Sequence, residues 1–173
     1  MACRPVSSNA AGSASLESSR NPIRLLLHVP VPWVFVIVYL IGAVAERCLP
    51  SHMFEQVPHL TAIGGLVLGI GVAIAGWGLV TFRRARTTTV PGQISSQMVT
   101  WGPYRLTRNP MYVGLTIAYL GEALLLRQLW PVVFLPLVIA YVNWIVIPLE
   151  ESKLQEAFGD QYEQYRARVG RWV

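Results

Sequence analysis

The chain has 173 residues, of which 53% are hydrophobic and only 13% charged, whereas about a quarter are charged in soluble domains. This composition excludes an ordinary soluble enzyme and leaves a membrane protein with no room for a separate soluble catalytic domain. The net charge of +5 is interleaved with long apolar spans and points away from nucleic acid, while Cys3 and Cys48 show no paired spacing and no Cys/His cluster, so no disulfide framework and no metal site is expected.

Residues 1–22 are rich in Ser, Ala, Asn and Pro and contain no apolar run; they read as a disordered tail. A secretory signal would place its apolar core here, followed by small residues at a cleavage site. The first apolar run instead spans 29–49, interrupted near its end by Glu46-Arg47, and reads as a retained membrane helix. Crossing a bilayer core of about 30 Å takes roughly 20 apolar residues in a helix. Four segments approach that length, at about 30–49, 59–82, 111–126 and 129–149. The fold class is therefore all-α: a multi-pass transmembrane bundle of about four spans, with residues 23–173 as one membrane-embedded domain. Only Arg127-Gln128 separates the third and fourth spans, which predicts a tight antiparallel hairpin.

Positively charged connections are retained on the cytoplasmic side. Arg4, Arg20, Arg24, Arg83, Arg84, Arg86, Arg105, Arg108, Lys153, Arg166, Arg168 and Arg171 fall on one side of a four-span layout, and only Arg47 and Arg127 on the other. Both termini and the connector after the second span are thus expected in the cytoplasm. The second span carries Gly64, Gly65, Gly69, Gly71, Gly76 and Gly78. The Gly65-xxx-Gly69 spacing lets helix backbones approach closely in lipid, against a helix of this chain or of a second copy in a homo-oligomer. Glu122, within the third apolar span, lies about one turn from Arg127 and reads as a snorkelling or paired carboxylate near the far face.

The densest polar stretch is Trp101-Gly102-Pro103-Tyr104-Arg105-Leu106-Thr107-Arg108-Asn109-Pro110-Met111-Tyr112-Val113-Gly114, which runs straight into the third span. Asn is favoured as an N-cap and Pro at the first helical position, so Asn109-Pro110 starts that helix. Free N–H groups and a positive end make such a start an anion site, and Arg105 and Arg108 add charge, although retention in the cytoplasm also explains them. Glu150-Glu151 falls where the fourth span should end on the same face, a placement that opposes the helix dipole; pairing with Arg105 or Arg108 is one explanation. Beyond it, Leu154, Phe158, Tyr162 and Tyr165 recur at helical spacing. Gly159 as a stop and Asp160 with Glu163 as a capping box predict a pair of cytoplasmic amphipathic helices folded under the bundle.

Two motifs now carry a resemblance: Gly102-Pro103-Tyr104-Arg105-x-x-Arg108-Asn109-Pro110-x-Tyr112-x-Gly114, and Glu150-Glu151-x-x-Leu154-x-x-x-Phe158-Gly159-x-x-Tyr162-x-x-Tyr165. Across about residues 87–171 the chain resembles the isoprenylcysteine carboxyl methyltransferase and phospholipid methyltransferase group of integral membrane enzymes. The resemblance implies an S-adenosylmethionine-dependent methyltransferase acting on a lipophilic acceptor drawn from the bilayer. It implies cofactor contacts at Met98, Val99, Tyr104, Asn109, Pro110, Tyr112 and Glu150, and Arg105, Arg108, Glu150 and Glu151 as the catalytic candidates. The eukaryotic isoprenylcysteine enzymes have His at the position of Asn109, and an arginine that holds the substrate carboxylate at the position of Val146. Neither an imidazole base nor that arginine is expected here, although Asn143 and Trp144 lie near. Two other readings compete: a non-catalytic membrane packing or partner-binding protein, which the Gly-rich second span would serve, and a sterol-reductase-like enzyme, for which the chain carries no nicotinamide fingerprint.

Overall fold

The computed structural model describes residues 30–85 and 98–172; the expected tail at 1–22 and the cations Arg4, Arg20, Arg24 and Arg86 lie outside them. Helix α1, Val31–Cys48, is followed by α2, Leu60–Arg84. A 3-10 turn at Gly102–Arg105 leads into α3, Pro110–Leu125. Next comes α4, Leu129–Tyr141, which runs through a π-helical turn at Val142–Val146 into α5, Ile147–Phe158; α6, Asp160–Arg168, closes the described chain. The apolar segments α1, α2 and Leu129–Phe158 are long enough to cross a membrane, and α3 is a shorter apolar helix of 16 residues.

What lets α3 serve as a fourth span is its pairing with α2. Gly64, Gly71 and Gly78 recur every seven residues on α2, and Gly114 and Gly121 do the same on α3, so each series keeps one helix face bare. A Cβ at Gly71 would run into the Ala118 backbone, one at Gly114 into Ala75, one at Gly121 into Leu68, and one at Gly64 into Leu125. The contact runs from Gly64 beside Leu125 to Gly78 beside Met111, about 21 Å of antiparallel helix at 1.5 Å per residue. Gly65 and Gly69 are not part of it. A Cβ at Gly65 would meet only the Leu125 side chain, at 3.7 Å, and one at Gly69 would meet nothing within 4 Å. The close approach within the chain therefore uses glycines other than the expected pair.

Helix α1 packs on α4 through Gly42, which seats Pro131. The Glu46 carboxylate of α1 accepts hydrogen bonds from the N–H groups of Leu129 (2.7 Å) and Trp130 (3.1 Å). An acid from a neighbouring helix thus caps the free donors and positive end of α4. Tyr39 donates to Gln128 at 3.0 Å and meets the Tyr119 ring edge-on. Of the two readings of Glu122, snorkelling or paired, the pair with Arg127 does not form. Arg127 instead donates to the Glu55 carbonyl (2.8 Å) and Thr61 (3.3 Å), and Glu122 is exposed.

The fourth helix does not stop near residue 149, where its apolar run ends. Pro148 has no N–H to offer, and the π turn accommodates it by bonding the Ile147 N–H five residues back, to the Val142 carbonyl. The helix then continues to Phe158. Its 30 residues reach about 45 Å, more than the ~30 Å apolar layer, so the last turns project beyond it. Glu150 and Glu151 consequently sit inside a helix, and the expected conflict with the dipole of a helix end is absent.

Because a Cβ is the whole difference, alanine tests the packing directly. Gly71→Ala should destabilise by about 1–3 kcal/mol through overpacking. Gly69→Ala should be neutral or stabilising by up to ~1 kcal/mol, as helix propensity dictates. The thermal unfolding midpoint in detergent should therefore fall for Gly71→Ala and stay level or rise for Gly69→Ala.

Candidate active site

The connector before α3 is shaped by a few local constraints. Gly102 takes φ +64 where a Cβ would press on Thr81 at 3.2 Å, and Pro103 opens the turn. Tyr104 is thereby buried, and its main-chain carbonyl accepts a 2.7 Å hydrogen bond from the Tyr165 hydroxyl of α6. Asn109 occupies the N-cap position of α3 but makes no side-chain capping bond. Its backbone N–H goes to Thr107 Oγ1 (3.1 Å) and its side-chain amide to the Arg171 carbonyl (3.0 Å). Pro110 takes the first helical position, as expected from its missing donor.

Glu150 and Glu151 follow each other on a helix and so point about 100° apart, which gives them different partners. Glu150 accepts a 2.7 Å hydrogen bond from the Tyr112 hydroxyl. Glu151 pairs with Arg108 at 2.8 Å and with Arg171 at 2.7 Å. The question of which arginine meets the acidic pair is thus resolved: Arg108 meets Glu151, while Arg105 is exposed. The side chains of Arg108 and Glu151 are only 11% and 14% exposed, a depth at which an unpaired charge would be costly.

These groups surround a cavity of about 330 Å³, at the small end of ligand-sized sites. Of the residues singled out from the sequence, Met98, Val99, Tyr104, Arg108, Asn109, Pro110, Tyr112, Glu150 and Glu151 line it; Arg105 does not. Phe82, Met111, Lys153, Leu154, Phe158, Tyr162 and Tyr165 complete the wall. The aromatic face of the C-terminal helices was readable as periodicity, but its destination was not. Nothing local in the sequence marks Arg171 as a partner of Glu151.

Two residues of the wall, Tyr104 and Arg108, each carry a buried donor without a hydrogen-bond partner, the Tyr104 hydroxyl and Arg108 Nε. Burial pushes the Tyr104 phenol up to about 12, with the charge of Glu150 adding to it, and burial likewise raises Tyr165 to about 12. Both stay protonated donors at neutral pH. Among the described residues, no three His, Cys, Asp or Glu side chains gather as a metal site.

Fold and cavity define a multi-pass integral membrane protein with a mixed polar and aromatic site at one end of its helix bundle. Residues 60–161, more than half of the chain, match the phospholipid methyltransferase family, and the chain belongs to that family. It is similar to proteins named probable protein-S-isoprenylcysteine O-methyltransferase in Oryza sativa subsp. indica and subsp. japonica. Each is 26% identical over 162 residues, covering 91% of this chain and 83% of the rice protein. It is also similar to the protein-S-isoprenylcysteine O-methyltransferase of Schizosaccharomyces pombe, 40% identical over 72 residues, covering 42% of this chain and 30% of the yeast protein.

The bond from Tyr165 to the Tyr104 carbonyl ties α6 to the connector. Tyr165→Phe would leave a buried acceptor unpaired and should cost about 1–3 kcal/mol. A lowered unfolding midpoint in detergent, with helix content by circular dichroism unchanged before the transition, is the expected outcome.

Proposed function

We propose that this membrane methyltransferase uses S-adenosylmethionine and passes the methyl group to a lipophilic acceptor at the cytoplasmic membrane face. The acceptor is an isoprenylcysteine-type carboxylate or a phospholipid-type amine, the two chemistries named by its relatives and its family. The observation that carries the cofactor reading is the cavity wall itself. Two orphaned buried donors, Tyr104 and Arg108, share it with the acceptor Glu150 and several aromatic faces. That donor set fits a molecule with a carboxylate, ribose hydroxyls and a cationic sulfur.

In this reading Arg108 offers its free Nε–H to the carboxylate. Glu150, held by Tyr112, accepts from ribose hydroxyls, and the tyrosine faces stabilise positive charge. Met98, Val99, Asn109 and Pro110 complete the contacts around them. Arg105, exposed and outside the cavity, has no such part. When bound, the cofactor supplies a methyl group activated by its sulfonium. The chain's own contribution is to hold nucleophile and methyl group in near-attack geometry and to exclude water. A carboxylate acceptor needs no base. For an amine, Glu150 is better suited than Glu151, whose two oxygens are committed to arginines. The cations of the site end, among them Arg83, Arg84, Arg105 and Lys153, against Arg47 and Arg127 at the other, support a cytoplasmic orientation.

Calorimetry in detergent tests this reading. Wild type should bind S-adenosylhomocysteine; Arg108→Ala and Glu150→Ala should each bind at least about tenfold more weakly, as expected for loss of a charged hydrogen bond. Arg105→Ala should stay within about twofold of wild type, as for a surface change. Absence of binding by wild type, or wild-type affinity in Glu150→Ala, would sink it. Transfer of a labelled methyl group into a total membrane extract would then identify the acceptor.

A further inference from the structure

The end of the described chain, Gly170-Arg171-Trp172, does not trail away from the bundle. Arg108 donates its backbone N–H to the Gly170 carbonyl at 3.0 Å. The Arg171 carbonyl accepts from both the Thr107 hydroxyl and the Asn109 side-chain amide, each at 3.0 Å. The Trp172 indole donates to Asn143 Oδ1 at 3.0 Å, in the π turn. The main chain of this segment is therefore fixed against the start of α3, and the Trp172 side chain against the fourth span. From that anchorage the Arg171 guanidinium grips Glu151 with two bonds, Nε to Oε1 at 3.2 Å and Nη2 to Oε2 at 2.7 Å.

Two cations thus share one carboxylate, because Glu151 also holds Arg108. Were Glu151 paired with Arg108 alone, the pair would be neutral and Arg108 would offer an anion little. With Arg171 taking one side of Glu151, the cluster keeps one net positive charge. Arg108, the member that lines the cavity, keeps a buried Nε–H with no partner. Arg171 itself does not line the cavity and acts through Glu151.

We propose that Arg171 is a positioning residue of the site: by sharing Glu151, it leaves the Arg108 guanidinium oriented and electrostatically free for a carboxylate in the cavity. The inference rests on the cofactor reading above and deepens it, since it makes recognition of the amino-acid carboxylate by Arg108 depend on a side chain outside the cavity. It also separates two roles of the C-terminal segment. The carbonyls of Gly170 and Arg171 fasten the connector whatever the side chain at 171, whereas the guanidinium sets the charge.

The test compares two ligands by calorimetry in detergent: S-adenosylhomocysteine, and 5′-methylthioadenosine, which keeps the adenosine and thioether but has no amino-acid carboxylate. Arg171→Gln should weaken the first about tenfold, the size of one charged hydrogen bond, and change the second by less than about twofold, as a distant surface change would. Arg171→Lys, which keeps the charge, should retain the wild-type preference. The double variant Glu151→Gln/Arg171→Gln removes one charge of each sign and should recover the preference that Arg171→Gln loses. Equal weakening of both ligands by Arg171→Gln, no weakening of either, or a double variant without recovery would each overturn the inference. If Arg171→Gln does not fold, the lysine and double variants decide it alone: loss of the preference in both overturns it. Failure of the wild type to bind either ligand is a separate result, which removes the cofactor reading and this inference with it.

Discussion

Everything at the site end depends on how closely α2 and α3 approach. Without a driving hydrophobic effect inside lipid, helices associate through contact area and backbone proximity, and here that proximity comes from glycines at seven-residue intervals on both partners. The spacing drifts by only ~20° per repeat relative to a helix face, so the bare stripe stays in register along the whole overlap. Because the pair is antiparallel, the end of α2 and the start of α3 emerge side by side. Thr81 of α2 then lies against Gly102 of the turn. The polar stretch from Gly102 is thus packed against a rigid pair.

The opposite wall depends on a different device. A helix that ended at the membrane surface would present its last carbonyls beside the site, and their partial negative charge would reinforce the acids instead of the arginines. Continuing the fourth span through a π turn avoids this and carries Glu150 and Glu151 beyond the apolar layer as side chains of a continuous helix. The same turn changes which carbonyls are committed. Asn143 would ordinarily bond four residues on, to Ile147, but Ile147 is taken by Val142 and the next candidate, Pro148, has no N–H. Arg171 approaches that carbonyl at 3.5 Å, and Trp172 uses the Asn143 side chain. The irregularity in the span and the docking of the chain's end are two parts of one arrangement.

The contrast between what was legible and what was not follows from the physics of each feature. The spans were readable because lipid selects for length and apolarity, and the observed helices α1 to α3 begin and end within two residues of the apolar runs. The end of the fourth was not, since hydropathy falls at Leu149 while hydrogen bonding carries the helix to Phe158. Six glycines in α2 lie on more than one face, and the local Gly65-xxx-Gly69 spacing is as good a packing signal as Gly64, Gly71 and Gly78, whose role depends on meeting Gly114 and Gly121. The expected capping box at Asp160 and Glu163 does not form: Gly159, at φ +50, is itself the N-cap and has no side chain to offer, and Asp160 is already helical. At the site, nine of the ten singled-out positions surround the cavity: the helix start and the acidic pair are local signals, whereas Met98 and Val99 were reached only through the family resemblance. Arg171 is a tertiary event and left no such trace.

Buried donors without acceptors are rare in folded chains, since each costs about 1–3 kcal/mol. Five such side-chain atoms occur among the described residues, and two of them, on Tyr104 and Arg108, belong to the wall of one cavity. Neither can be relieved by a small rotation toward bulk water, because Tyr104 is packed under α6 and Arg108 is fixed by Glu151 and Tyr162. The fold therefore spends stability at the place where it gathers its charges. In the reading proposed above, a ligand carboxylate in the cavity would meet the unbalanced positive charge of this cluster. A purely structural role for these residues would favour the reverse arrangement, in which Arg108 and Glu151 neutralise each other and no donor is left over.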